Sequence, residues 1–153
     1  MDTLTIEEIY LAGISLPFKT TNENGQSVTD CGSLWQKFEK EDCVSQIPGK
    51  LDGSVYAVYH EYEGDHTKPF SYFIGCRVEP AITLPDGMVT LRIPAGNYKK
   101  ITARGKMPDC IAGAWKEIWN SSLQRKFTTD FEVYDERSKD WQDAEVDIYL
   151  SVI

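Results

Sequence analysis

The sequence predicts an α+β fold: a tandem of two β-α-β-β halves, a largely antiparallel sheet, two main helices and a ligand cleft on the pseudo-twofold axis. Three observations predict it. Strand-like segments outnumber helical ones, and neighbours lie close enough in sequence to pair as hairpins. Only two segments carry apolar side chains at helical spacing. The two halves also resemble one another in order and content.

The elements follow in sequence. Residues 3–15 mix Leu, Ile, Tyr and Thr and read as a first strand. A polar loop over 20–27 precedes a helix that Thr29 or Asp30 is placed to cap. In that helix Cys31, Leu34, Trp35 and Phe38 form one apolar stripe. The run Ile47-Pro48-Gly49 ends it. Residues 54–62 are strand-like, a turn at Glu63-Gly64-Asp65 follows, and 70–78 complete a hairpin. After Pro85-Asp86-Gly87, residues 88–93 read as a connecting strand, and 98–103 as the next after a turn over 94–97. Asp109 as cap and Pro108 in the first turn open a second helix with Ile111, Trp115, Ile118 and Trp119 as its stripe. Residues 129–136 and 143–152 are the last two strands.

The repeat runs from about 1–80 to 88–153 within a single expected domain. Val58-Tyr59-His60-Glu61 matches Val133-Tyr134-Asp135-Glu136, seventy-five residues on. The same offset carries Tyr56 onto Phe131, Tyr72 onto Asp147 and Phe73 onto Ile148, while Asp30-Cys31 with Trp35 parallels Asp109-Cys110 with Trp115. A duplicated unit places a groove on its axis, lined by equivalent elements of both halves.

Composition narrows the function. With 153 residues and 41% hydrophobic content, the chain has enough apolar material for one core. A net charge of −8 argues against nucleic acid, whose affinity comes from Lys and Arg neutralising phosphates. Apolar runs are too short to span a membrane. The acidic start lacks the pattern of a signal peptide, so a cytoplasmic location is expected. Cys31, Cys43, Cys76 and Cys110 are widely spaced, without a C-x-x-C pair, and read as reduced. His60, Glu61, Glu63, Asp65 and His66 lie close in sequence, but strand-turn geometry splays them and the spacing is not that of a metal motif. No phosphate loop, Rossmann fingerprint or nucleophile elbow is present, and no cofactor is expected.

Three stretches resemble the gyrase-inhibitor-like, AraC-type effector-binding family. Ser71-Tyr72-Phe73-Ile74-Gly75-Cys76-Arg77-Val78 is similar to its Y-x-x-G-x-x-V strand. Ile93-Pro94-Ala95-Gly96-Asn97-Tyr98 is similar to its I-P-A/G-G-x-Y turn. The pair formed by Phe131-Glu132-Val133-Tyr134 and Glu145-Val146-Asp147-Ile148-Tyr149-Leu150-Ser151-Val152 is similar to F-E-x-Y followed by E-I-Y-I-P-V. The resemblance implies the tandem β-α-β-β fold and a small-molecule ligand, often cationic, aromatic and hydrophobic. Some members carry helix-turn-helix domains as multidrug sensors. This chain spans the domain from first strand to last and is expected to be a stand-alone member, related to transcription regulators but without direct DNA contact. Its last strand departs from the pattern: Asp147 stands where the family has Glu, and the proline is missing.

The expected ligand site follows. Asp147 is the candidate carboxylate for a ligand cation, against the plainer reading of a solvated strand face. Trp115, Trp119, Tyr98, Tyr134, Tyr72, Tyr59 and Trp35 are the candidate aromatic walls, against the plainer reading of core packing. Glu132 and Glu145 are alternative carboxylates, read first as surface charge. Two other functions remain open: a hydrolase using a cleft carboxylate as base with Tyr134 or Tyr98, and an inhibitor that binds a protein partner.

Overall fold

The computed structural model describes residues 3–153 and forms an eight-stranded antiparallel sheet with helices over one face. The strands are β1 (Thr3–Ile6), β2 (Ile9–Ser15), β3 (Val55–His60), β4 (Ser71–Arg77), β5 (Val89–Ile93), β6 (Gly96–Gly105), β7 (Thr129–Tyr134) and β8 (Ala144–Ser151). The helices are α1 (Gln26–Lys40), the single turn α2 (Cys43–Gln46) and α3 (Asp109–Trp119). Among the described residues no helix is long and apolar enough to cross a membrane.

The strand order β1-β6-β8-β7-β3-β4-β2-β5 displays the duplication. The halves β2-α1-β3-β4 and β6-α3-β7-β8 meet where β3 pairs with β7. Each half's outer edge is then lengthened by the lead strand of the other. β1 pairs with β6, and β5 pairs with β2. The expected single strand over 3–15 is therefore two. Glu7 and Glu8 interrupt it because the chain leaves one edge of the sheet there and enters the opposite side. Glu8 anchors the crossing by pairing with Arg92 at 3.4 Å. The connecting strand β5 thus has a counterpart in β1.

Both faces of the sheet are covered. On the helix face, α1 packs Leu34 and Phe38 against Ala12, Ile74 and Tyr72. There α3 packs Trp115 and Ile118 against Ala103, Ile148 and Leu150. The opposite face curls on itself and buries Leu11, Val58, Phe73, Ile93, Tyr98 and Phe131. The close approach of β2 and β4 requires glycine at Gly13 and Gly75, which pair directly. A Cβ on Gly13 would lie 2.0 Å from the Ile74 carbonyl oxygen.

Both helix starts differ in detail from expectation. Helix α1 begins at Gln26, one turn before Thr29 and Asp30, behind Gly25 at φ 70. Only a residue tolerant of the left-handed region suits that turn. Asp30 sits inside the helix and accepts from the Gln26 side chain one turn back. In α3 the roles are exchanged: Pro108 occupies the cap and Asp109 the first turn.

The repeat holds in register with one slip. In the first hairpin Tyr56 lies opposite Gly75. Its counterpart Phe131 lies opposite Tyr149, one residue short of what the constant offset requires. A one-residue slip reverses every side chain between faces. Phe73 therefore corresponds to Asp147, and Ile74 to Ile148. Tyr72, on the helix face, has no equivalence with Asp147.

A candidate ligand cavity between the two helices

The helices α1 and α3 stand apart over the centre of the sheet and leave a cavity of about 1090 Å³. Its walls come from both halves: Cys31 and Trp35 on α1, Ile111, Trp115 and Trp119 on α3, and Tyr59, Tyr72, Glu132 and Tyr134 on the strands beneath. The wall is mostly apolar, with aromatic rings at its centre. Tyr59 is its centre, with ring centroids 4.8 Å from Trp115 and 4.9 Å from Tyr72. Trp35 lies edge-on to Tyr134 at 4.9 Å. Val28 and Trp141, the latter 57% exposed, border the cavity where it reaches solvent.

Glu132 lies at the base, 1% exposed. Its Oε2 accepts from Trp115 Nε1 at 2.6 Å and from Tyr59 Oη at 2.9 Å. Its Oε1 accepts from Tyr134 Oη at 2.7 Å. All three donors are neutral, and no salt bridge reaches Glu132 among the described residues. Burial pushes its carboxyl above the ordinary range, and the three donors only partly offset this. Burial, then the Glu132 charge, hold the phenols of Tyr59, Tyr72 and Tyr134 well above their usual value. They therefore remain protonated donors. On the other half, Trp35 Nε1 donates to Tyr72 Oη at 2.8 Å. Each long helix is thus tied to the sheet by an indole N–H.

Six of the eight residues expected at the site meet here: Trp35, Tyr59, Tyr72, Trp115, Trp119 and Tyr134. The other two do not. Asp147 lies on the opposite face, because Ile148 and Leu150 point toward α3. There Asp147 accepts from Arg137 Nη2 at 2.7 Å and from Thr102 Oγ1 at 2.8 Å. Burial raises its carboxyl, but these donors outweigh that and leave it below the ordinary value. Tyr98 is on the same far face, packed on Phe131 at 5.5 Å, with its hydroxyl on the Pro94 carbonyl. Glu145 pairs with Arg104 at the surface. Glu132, read first as surface charge, is the cavity's buried carboxylate; Glu39, Asp109 and Asp135 also border it, as does the buried Arg125, which is paired with Asp130 at 2.6 Å.

The repeat carried a signal for this. Its offset maps Ala57 onto Glu132 and Tyr59 onto Tyr134, on the face that both tryptophan stripes cover. In the histidine-rich hairpin His60 Nδ1 lies 3.9 Å from Glu61 Oε1. Glu63 pairs with Lys19 at 3.3 Å, and His66 stacks flat on Trp119 with centroids 5.6 Å apart. Among the described residues no three His, Cys, Asp or Glu side chains are grouped to hold a metal.

Comparison with known proteins agrees with this architecture. The sequence profile of the integron-associated effector binding proteins matches residues 4–152. A putative transcriptional regulator of Bacillus subtilis, YobU, is 31% identical over 124 residues, which is 78% of each chain. The integron cassette protein from the mobile metagenome of Vibrio cholerae superposes with a TM-score of 0.77 at 28% identity, over 99% of this chain and 95% of that one. SAV2435, solved bound to tetraphenylphosphonium, superposes with a TM-score of 0.78 at 17% identity, over 99% of this chain and 93% of its own.

Proposed function

Because the chain belongs to the integron-associated effector-binding family, we propose that it is a non-enzymatic module that takes up amphipathic aromatic cations in the cavity between α1 and α3. One observation carries this reading: a buried carboxylate, Glu132, that no cation pairs with among the described residues, at the base of an aromatic hollow. A carboxylate out of water attracts a cation far more strongly than a solvated one, since the local dielectric is low. Three neutral donors make its burial tolerable without cancelling its charge. The faces of Trp35, Trp115 and Tyr59 suit flat rings and delocalised positive charge. The tetraphenylphosphonium bound by SAV2435 has the same chemistry, a lipophilic cation clad in phenyl rings. Uptake would serve sequestration of such compounds or signalling to a partner.

Tryptophan fluorescence tests this, because four indoles line the cavity and two of them are held by hydrogen bonds. Titration with quaternary aromatic cations is expected to give saturable quenching, and uncharged isosteres much weaker quenching. Equal response to charged and uncharged compounds would remove the role given to Glu132. Turnover of the bound compound would replace the binding module with an enzyme.

A further inference from the structure

Gly32 stands in the interior of α1, where glycine weakens a helix relative to alanine. Two backbone reasons can keep a glycine in a fold, and neither applies. Its φ is outside the left-handed region, unlike those of Gly25, Gly49, Gly87 and Gly105. Nor is it crowded. Among the described residues a Cβ built on Gly32 would meet nothing within 4 Å, whereas at Gly13 and Gly75 it would strike carbonyl oxygens at 2.0 and 2.3 Å. The fold itself would accept a side chain at this position.

Helix geometry says where that side chain would point. Val28, Trp35 and Gln36 lie one turn to either side of Gly32 on the same helix face, and all of them line the cavity with it. The missing side chain is therefore missing from the cavity. Ala112 takes the equivalent place on α3, three residues before Trp115 as Gly32 is three before Trp35, and it lines the cavity too. Each long helix thus presents a small residue one turn ahead of its wall tryptophan. Gly113, the other mid-helix glycine whose Cβ would touch nothing, is exposed and lies outside the cavity wall. At about 1090 Å³ the cavity is at the upper end of the range for drug-sized ligands.

Resting on the function proposed above, we infer that Gly32 sets the breadth of the cavity: helix stability is given up there to leave room for bulky cations whose rings project in several directions, beside slimmer ones. The probes are methyltriphenylphosphonium as the bulky cation and benzyltrimethylammonium as the slim one. In thermal unfolding, Gly32→Ala and Gly113→Ala should each raise the melting temperature by about 2–4 °C, the gain from removing a mid-helix glycine in a chain of this size. In calorimetric titration, Gly32→Leu should lose about tenfold for the bulky cation, the effect of overpacking, and less than about twofold for the slim one, which can shift aside. Gly113→Leu should bind both as the wild type does. A Gly32→Ala protein that melts no higher than the wild type would show that the fold needs this glycine, and would overturn the inference. Unchanged binding of both cations by Gly32→Leu, or equal losses for the two, would overturn it as well, while the cation-binding reading stands. Failure of the wild type to bind either cation overturns the cation-binding reading, and this inference with it.

Discussion

Replacing Glu132 by glutamine removes one charge and little else. The amide oxygen keeps the two donors now on Oε2, Trp115 and Tyr59. The amide nitrogen faces Tyr134, whose hydroxyl turns from donor to acceptor. The second amide hydrogen and the freed Tyr134 hydroxyl hydrogen are left to the cavity, at a cost of about 1–3 kcal/mol that the fold should survive. At about 4 Å and an effective dielectric near 20, a carboxylate and a cation attract by about 4 kcal/mol. Dehydrating the ligand's charge offsets a good part of this, leaving ~2 kcal/mol, or roughly thirtyfold in affinity. Calorimetric titration of both proteins with an aromatic cation and its neutral isostere measures the effect directly. The cation should lose about thirtyfold and the isostere should lose nothing. Equal losses for the two, or none for the cation, would refute the reasoning. The pH dependence supplies a second reading. Burial raises the Glu132 carboxyl in the folded state, so the native protein holds a proton that the unfolded chain releases above its ordinary value of 4.5. Wild-type stability should therefore fall, relative to Glu132→Gln, as pH climbs from about that value through the raised one. Above the window the difference is constant.

Other substitutions separate the two faces of the sheet. Asp147→Asn should leave cation affinity unchanged and cost under about 1 kcal/mol, since its partner Arg137 is 40% exposed. That small contribution is present above the ordinary carboxylate value and is lost as pH falls through the lowered one, which acid titration of the thermal midpoint would show. Tyr98→Phe should also spare ligand binding while costing about 1 kcal/mol in denaturant unfolding, from the lost bond to Pro94. Gly13→Ala should destabilise by ~3 kcal/mol or prevent folding, because the new methyl meets the Ile74 carbonyl and the Gly75 Cα, neither of which can move aside. A Gly13→Ala protein with an unchanged melting temperature would contradict the strand contact.

Much of the architecture was legible in the sequence, and the failures have physical causes. Helical stripes around Trp35 and Trp115 identified both long helices and placed both indoles on the right face. The strand over 3–15 divided because nothing in local propensity records that a chain is changing sheet edges; Glu7 and Glu8 look like any polar pair. The candidate carboxylate was misplaced for a different reason. Alternation sorts side chains into two faces but does not say which face meets water, and here neither does. The resemblance put the carboxylate on the last strand, at Asp147, while Glu132, read as surface charge, lies on a face of β7 that is buried as well. The slip of one residue between the hairpins then aligned Asp147 with Tyr72, a cavity residue, when its counterpart is Phe73. Arg125 carried no signal at all, since it lies in an irregular segment whose path depends on bridges to the end of β8.

The paired indole hydrogen bonds have a consequence for how the protein meets its ligand. Trp35 and Trp115 act as struts, each propping a helix above the sheet through a tyrosine or a glutamate. The walls of a hollow braced in this way are set by the fold's own hydrogen bonds, so the work of shaping it is done during folding rather than at encounter. Such a receptacle should admit guests of varied outline with little rearrangement. Its selectivity would then reside in charge and in a few polar anchors rather than in the moulding of its walls.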